Sequence, residues 1–223
     1  MSEGIEKKFD GEAAFVEGES TEGIEKKFDG IAAFAKGKST ERIEFRLSGS
    51  GGQGIITAGI VLASAALHDG KNAIQSQSYG PEARGGASKA EVVISDQSID
   101  YPKATAPNYI LCLTKEAYRA YGANCGDDIT VMVDSSIEIP EGKKVLKAPI
   151  IETAAKEFRP MVANTIALGF VVGCTEVVSR QSAKKALLER IPKGTEELNE
   201  KALDKGFEFA DAFFERNGRV EQS

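Results

Sequence analysis

The chain has 223 residues but only one histidine and three cysteines. Cys112, Cys125 and Cys174 are widely spaced, and no C-x-x-C pair occurs. Zinc sites and iron–sulfur clusters need closely grouped thiolates or imidazoles, so the sequence predicts no metal held by this chain alone. The thiols read as small buried hydrophobes. His68 has no second histidine to join it and reads as a helix-end residue. No basic run exceeds two residues, and the net charge is -6 with a pI of about 5.1. A nucleic-acid surface needs clustered Lys and Arg, so none is expected. The longest apolar run lies near Ile166 to Cys174, far short of the ~20 residues that span a bilayer. No membrane partner is expected. The polar, acidic N-terminus does not resemble a signal peptide, and the expected location is cytoplasmic.

What is present suits one domain of ordinary size with an appendage. Hydrophobic residues make up 41% of the chain. A folded part of roughly 170 to 180 residues buries about 70% of its unfolded surface without disulfides or metals. The appendage is a tandem copy. GIEKKFDGEAAFVEGESTE (Gly4 to Glu22) recurs as GIEKKFDGIAAFAKGKSTE (Gly23 to Glu41), identical at 15 of 19 positions. Two copies fall short of the three or more that a solenoid needs. Each copy has too few apolar residues for a core. Residues 1–41 therefore read as a flexible extension or as a docking segment using Phe9, Phe15, Phe28 and Phe34. The folded domain is expected over 42–216, with a tail at 217–223.

Strand and helix patterns alternate through that domain. IEFRL (Ile43 to Leu47) alternates apolar and polar residues, as a strand does. Ile55 to Leu67 is apolar all round, with small residues that permit close packing on a sheet. Strands follow at Lys71 to Ser76, Glu91 to Ile94, Tyr109 to Leu113, Ile129 to Asp134 and Lys144 to Leu146. Thr114 is placed to cap a short helix through Tyr121. Helices are expected at Thr153 to Phe158, Asn164 to Cys174, Arg180 to Ile191 and Thr195 to Arg216. The order predicts an α/β fold: a Rossmann-like three-layer domain with a mainly parallel sheet.

Between the first strand and the first helix, Gly49 to Gly54 reads GSGGQG, which satisfies G-x-G-x-x-G. Gly49, Gly51, Gly52, Gln53 and Gly54 would let the backbone turn tightly and approach a neighbour closely. They would also leave amides at a helix N-terminus, which suits an anion. A dinucleotide site further requires an acidic residue near the end of the second strand. Here that region reads AIQSQSY, with no acid. A P-loop is excluded, because no G-K-[ST] follows. The next loop, SYGPEARGGAS, sets Tyr79, Glu82 and Arg84 among Gly80, Pro81, Gly85 and Gly86. It lies at the carboxyl end of a strand, the edge where ligands and partners meet an open sheet. Arg84 suits a carboxylate or phosphate. No nucleophile–base pair is visible, and no catalytic residue is assigned.

GSGGQGIITAGIVLA, SYGPEARGGASKAEVVIS with IDYPK after it, and ANTIALGFVVG together resemble the gamma subunit of 2-oxoacid:ferredoxin oxidoreductases. IPKGTEELNEKALDKGFEFA fits as well, and the likeness is strongest to the 2-oxoglutarate type. It covers Arg42 to about Ala210, so 42–216 would be the gamma-type catalytic domain. The resemblance implies a multi-subunit enzyme that oxidatively decarboxylates a 2-oxoacid to an acyl-CoA. Its electrons pass to ferredoxin. Thiamine diphosphate, magnesium and iron–sulfur clusters are then expected in alpha, beta and ferredoxin-like partner subunits. The chain would not act alone. It would contact coenzyme A, or only its neighbours, through Gly49 to Gly54, the Tyr79 to Gly86 loop and Asn164. Asn164 is also placed to cap its helix. A free-standing NAD(P)-binding dehydrogenase and a non-catalytic interaction module remain the alternatives.

Overall fold

A computed structural model describes residues 42–78 and 87–217. The tandem copy at 1–41 and most of the tail lie outside the described residues.

The alternation of IEFRL produces β1 (Ile43–Ser50). Ile43, Phe45 and Leu47 point into the core and are almost fully buried. The other strands are β2 (Asn72–Ser78), β3 (Ala87–Ser95), β4 (Tyr109–Cys112), β5 (Thr130–Asp134) and β6 (Leu146–Ala148). They form one six-stranded sheet in the order β2-β3-β1-β4-β5-β6. β1, β4, β5 and β6 run parallel, and β3 runs antiparallel to both β1 and β2. The sheet is therefore mostly parallel, as expected, with one reversed strand. The reason is chain length. Eight residues join β2 to β3, and a parallel crossover needs about a dozen or more.

The helices are α1 (Ile55–His68), α2 (Lys115–Ala117), α3 (Ile150–Glu157), α4 (Ala163–Thr175), α5 (Arg180–Arg190) and α6 (Glu196–Asn217). A π turn over Tyr118–Gly122 continues α2. Thr114 caps α2 as its position predicts, accepting from the Ala117 amide at 3.1 Å. One sheet face packs on α1, α3, α4, α5 and α6 in the larger core. On the other face Ile110, Cys112, Val131 and Val133 meet Ala117 and Tyr118. Helices thus cover both faces, unequally. Nearly every residue of α4 is buried, because α1, α3, α5 and α6 surround it. That explains why its sequence is apolar all round.

Among the described residues, Ser135 Oγ is the one buried side-chain polar atom without a hydrogen-bond partner. The Asp134 carboxylate, at the end of β5, accepts from the Ile151 amide at 2.8 Å and the Ser136 amide at 2.9 Å. It so ties the sheet to the first turn of α3. His68 ends α1, as expected, with Nε2 2.9 Å from the Glu189 carboxylate. Cys112 and Cys174 are buried and Cys125 is half-buried. No helix among the described residues is long and apolar enough to cross a membrane.

Candidate functional site

β1 carries the chain to the glycine-rich turn. Gly49 and Ser50 are still strand, opposite Ser88 and Ala87 of β3. The backbone then reverses. Gly52 has φ of 84° and Gly54 has φ of 73°, left-handed values that side chains with a Cβ rarely adopt. The Gln53 amide donates to the Ser50 carbonyl at 3.3 Å. Its side-chain oxygen accepts from the Ser50 amide at 2.7 Å. Gln53 thus closes the turn on itself. A Cβ on Gly49 would lie 2.5 Å from that oxygen and 3.1 Å from Ile55 Cγ1, so Gly49 is small because the turn folds over it.

The sequence predicts that a neighbouring subunit or ligand approaches these glycines closely. At Gly54 the close neighbour in the structure is Asn164 of the same chain: a Cβ there would lie 2.6 Å from Asn164 Nδ2. For Gly52 the geometry is different, since a Cβ there would meet nothing within 4 Å. Its need for glycine comes from φ alone. Gly51 and Gly52 are exposed, and Gly54 opens α1 with no side-chain cap. The turn therefore offers backbone to an incoming group at the positive end of a helix dipole.

Asn164 does not cap its helix. The N-cap of α4 is Val162, without a side-chain cap, because a turn of 3₁₀ helix over Pro160–Val162 leads straight in. Asn164 is already the second helical residue. Its Nδ2 instead reaches across to the Gly54 carbonyl at 3.3 Å. Two motifs 110 residues apart in sequence thus meet.

Tyr79, Gly80, Pro81, Glu82, Arg84, Gly85 and Gly86 lie outside the described residues. Their flanks are placed: Ser78 pairs with Lys89, and Ala87 pairs with Ser50. The chain therefore leaves β2 and enters β3 at the sheet edge that holds the glycine-rich turn. The IDYPK stretch lies at the opposite edge. Arg42 donates to the carbonyls of Tyr101 and Lys103 at 3.0 and 3.1 Å. The buried Glu44 carboxylate accepts from Arg42 Nε at 2.6 Å and from the Ala106 amide at 2.8 Å. Next to it, Arg46 and Lys89 share the Glu91 carboxylate at 2.7 and 2.9 Å, and both stand over the Tyr121 ring. This ionic layer was not foreseen. Alternation puts Glu44 and Arg46 on one face, but Glu91 joins them only through the β1–β3 register.

The topology also bears on a dinucleotide. In the usual arrangement the second strand lies beside the first, so its last residue reaches the ribose. Here β3 separates β2 from β1. Gln75 on β2 packs toward Gly59 of α1 instead. Among the described residues no three His, Cys, Asp or Glu side chains gather as a metal site.

Comparison with known proteins agrees with this architecture. The family model for pyruvate ferredoxin/flavodoxin oxidoreductase matches residues 44–209. The 2-oxoglutarate synthase subunit KorC of Methanocaldococcus jannaschii is 48% identical over 172 residues, covering 74% of this chain and 92% of that protein. The pyruvate synthase subunit PorC of Methanothermobacter thermautotrophicus is 31% identical over 167 residues, covering 73% and 93%. Among solved structures, the gamma subunit of the keto/oxoacid ferredoxin oxidoreductase of Geobacter sulfurreducens superposes with a TM-score of 0.69 at 47% identity, covering 77% of this chain and 97% of that one. With a family match over most of its length and relatives spanned almost end to end, the chain belongs to the pyruvate ferredoxin/flavodoxin oxidoreductase family.

Proposed function

We propose that the chain is the gamma subunit of a multi-subunit oxidoreductase of the 2-oxoglutarate synthase type. That enzyme decarboxylates 2-oxoglutarate and joins the acyl group to coenzyme A, passing two electrons to ferredoxin. The observation that carries this is the near-half identity to KorC over almost that whole subunit, well above the identity to PorC. Residues 42–216 form the subunit's domain, and 1–41 are an addition outside the matched family region.

The chain's share in the reaction is positional. Alpha, beta and ferredoxin-like subunits carry the thiamine diphosphate, magnesium and iron–sulfur clusters. The edge formed by Gly51 to Gly54 and the residues Tyr79 to Gly86 are assigned to contact with either a neighbouring subunit or the phosphates of coenzyme A. Both occupants suit it. Exposed glycine backbone permits close approach, and amides at an uncapped helix start favour an anion. Arg84 adds a planar cation suited to carboxylate or phosphate.

The test is a tagged pull-down from the native cells, with co-purifying chains identified by mass spectrometry. The eluate is assayed for coenzyme A-dependent viologen reduction with 2-oxoglutarate, pyruvate and branched 2-oxoacids. Recovery of partner chains, with 2-oxoglutarate the best substrate, is expected. Recovery with pyruvate best would overturn the substrate, and a chain that elutes alone and inactive would overturn the subunit reading. Arg84→Ala then separates the two occupants: loss of assembly marks a subunit contact, and a raised KM for coenzyme A in an intact complex marks the ligand.

A further inference from the structure

We infer that Asn164 is a positioning residue, whose carboxamide fixes the glycine-rich turn from the first turn of a different helix. The inference rests on the reading of that turn as a contact edge. Gly54 is where the turn ends and α1 begins. Its carbonyl accepts twice, from the Ala58 amide at 3.0 Å and from Asn164 Nδ2 at 3.3 Å. The first bond belongs to the helix. The second fixes the carbonyl's direction from outside. Among the described residues no other side chain from a different element hydrogen-bonds Gly49 to Gly54.

Contact adds to the hydrogen bond. A Cβ on Gly54 would lie 2.6, 2.9 and 3.3 Å from Nδ2, Cγ and Cβ of Asn164. The whole side chain thus lies against the Gly54 backbone, at the residue whose left-handed φ of 73° turns the chain into α1. A drift of this residue toward right-handed φ would re-aim the exposed amides before it.

The support behind Asn164 is rigid. Its helix is buried on all sides. The next residue, Thr165, donates to Asn199 of α6 at 3.0 Å. About one turn on, Gly169 lies backbone to backbone with α6. The turn, by contrast, is held from within only by Gln53. The stiff partner in the pair is α4, so the constraint runs from Asn164 to Gly54.

A donor is required, because the group facing the carboxamide is a carbonyl oxygen. Asn164→Asp keeps the shape and sets oxygen against oxygen. Asn164→Ala removes bond and contact together. Both variants are prepared in the assembled enzyme and compared by amide hydrogen exchange and steady-state kinetics. Exchange at Gly51 to Ile55 is expected to rise roughly threefold to tenfold in both, the range that one net hydrogen bond confers. Exchange within Gly169 to Cys174 should be unchanged. The KM for coenzyme A or the subunit dissociation constant should rise by a similar factor, with kcat within about twofold, as for a lost binding interaction. Exchange of the turn at the wild-type rate in Asn164→Asp would overturn the inference. Faster exchange with unchanged KM and unchanged assembly would keep Asn164 as the holder of the turn and overturn the reading of the turn as a contact edge.

Discussion

Gly206 of α6 lies directly on Gly169 of α4: a Cβ on Gly206 would be 2.7 Å from Gly169 Cα and 2.6 Å from the Phe170 amide nitrogen. A Cβ on Gly169 would press into the Leu203 carbonyl. One turn further, a Cβ on Gly173 would come within 2.6 Å of Ala210 Cβ. The two helices therefore cross at backbone contact. At Gly169 and Gly206 the blocking atoms are main chain and cannot rotate away. Gly206→Ala gains roughly 0.5 to 1 kcal/mol of helix propensity and loses about 1 to 3 kcal/mol or more to overpacking. A net fall of several degrees in melting temperature is expected, at roughly 2 to 4 °C per kcal/mol for a chain of this size. An unchanged melt would show that α6 can lift off α4 without cost.

The two left-handed glycines of the turn should respond differently to the same substitution. Gly52→Ala meets no atom, so its cost is conformational alone, about 1 to 2 kcal/mol. Asparagine tolerates left-handed φ, so Gly52→Asn should cost less than Gly52→Ala. Gly54→Ala carries the same conformational cost plus a collision with Asn164. Thermal melts should therefore rank wild type, Gly52→Asn, Gly52→Ala and Gly54→Ala in falling order. Equal melts for the two alanine variants would show that Asn164 yields freely.

The elements were legible in the sequence because periodicity fixes them locally. Apolar alternation marked β1, and an all-round apolar run marked α1. What sequence could not supply was pairing. The reversed β3 follows from a short connection, but its place beside β1 follows from the sheet as a whole. Without that register, Glu91 has no visible link to Arg46. Likewise, Asn164 read as a helix cap because it stands near a helix start. Its partner is a carbonyl distant along the chain, which no local pattern marks. The glycines of the α4–α6 crossing gain their meaning only from the second helix, whose backbone they touch.

The layer around Glu44 makes a graded prediction. Glu44 is 4% exposed and takes both Arg42 Nε and the Ala106 amide. Glu44→Ala removes the charged acceptor that ties Arg42 and the Ala106 amide to β1, which costs about 1.5 to 3 kcal/mol. Arg42→Ala should cost less, about 1 kcal/mol, because a third of that side chain is in water. Both changes release the IDYPK segment, whose carbonyls Arg42 holds. Limited proteolysis should then cut near Tyr101 and Lys103 faster in both variants. Wild-type cleavage rates would show that the segment is held by other contacts.

Thiol and phenol chemistry gives the last test. Burial pushes the Cys112 thiol up to about 12, against an ordinary value of 9.0, and Tyr109 to about 12, against 10.0. Burial raises the Cys174 thiol too. In each case the folded chain keeps a proton that the unfolded chain gives up. The native state then binds more protons between about pH 9 and 12, so stability falls as pH rises through that window. Below about pH 7.5 these groups are almost fully protonated in both states and contribute almost no slope. Denaturant melts should give a nearly flat stability from these groups up to about pH 7.5 and a steepening loss above it. At pH 8 a disulfide reagent should reach only the half-buried Cys125 in the folded chain, and all three thiols after denaturation. Rapid modification of Cys112 or Cys174 under native conditions would mean that the sheet face under α2 or the α4–α6 layer opens far more readily than its packing implies.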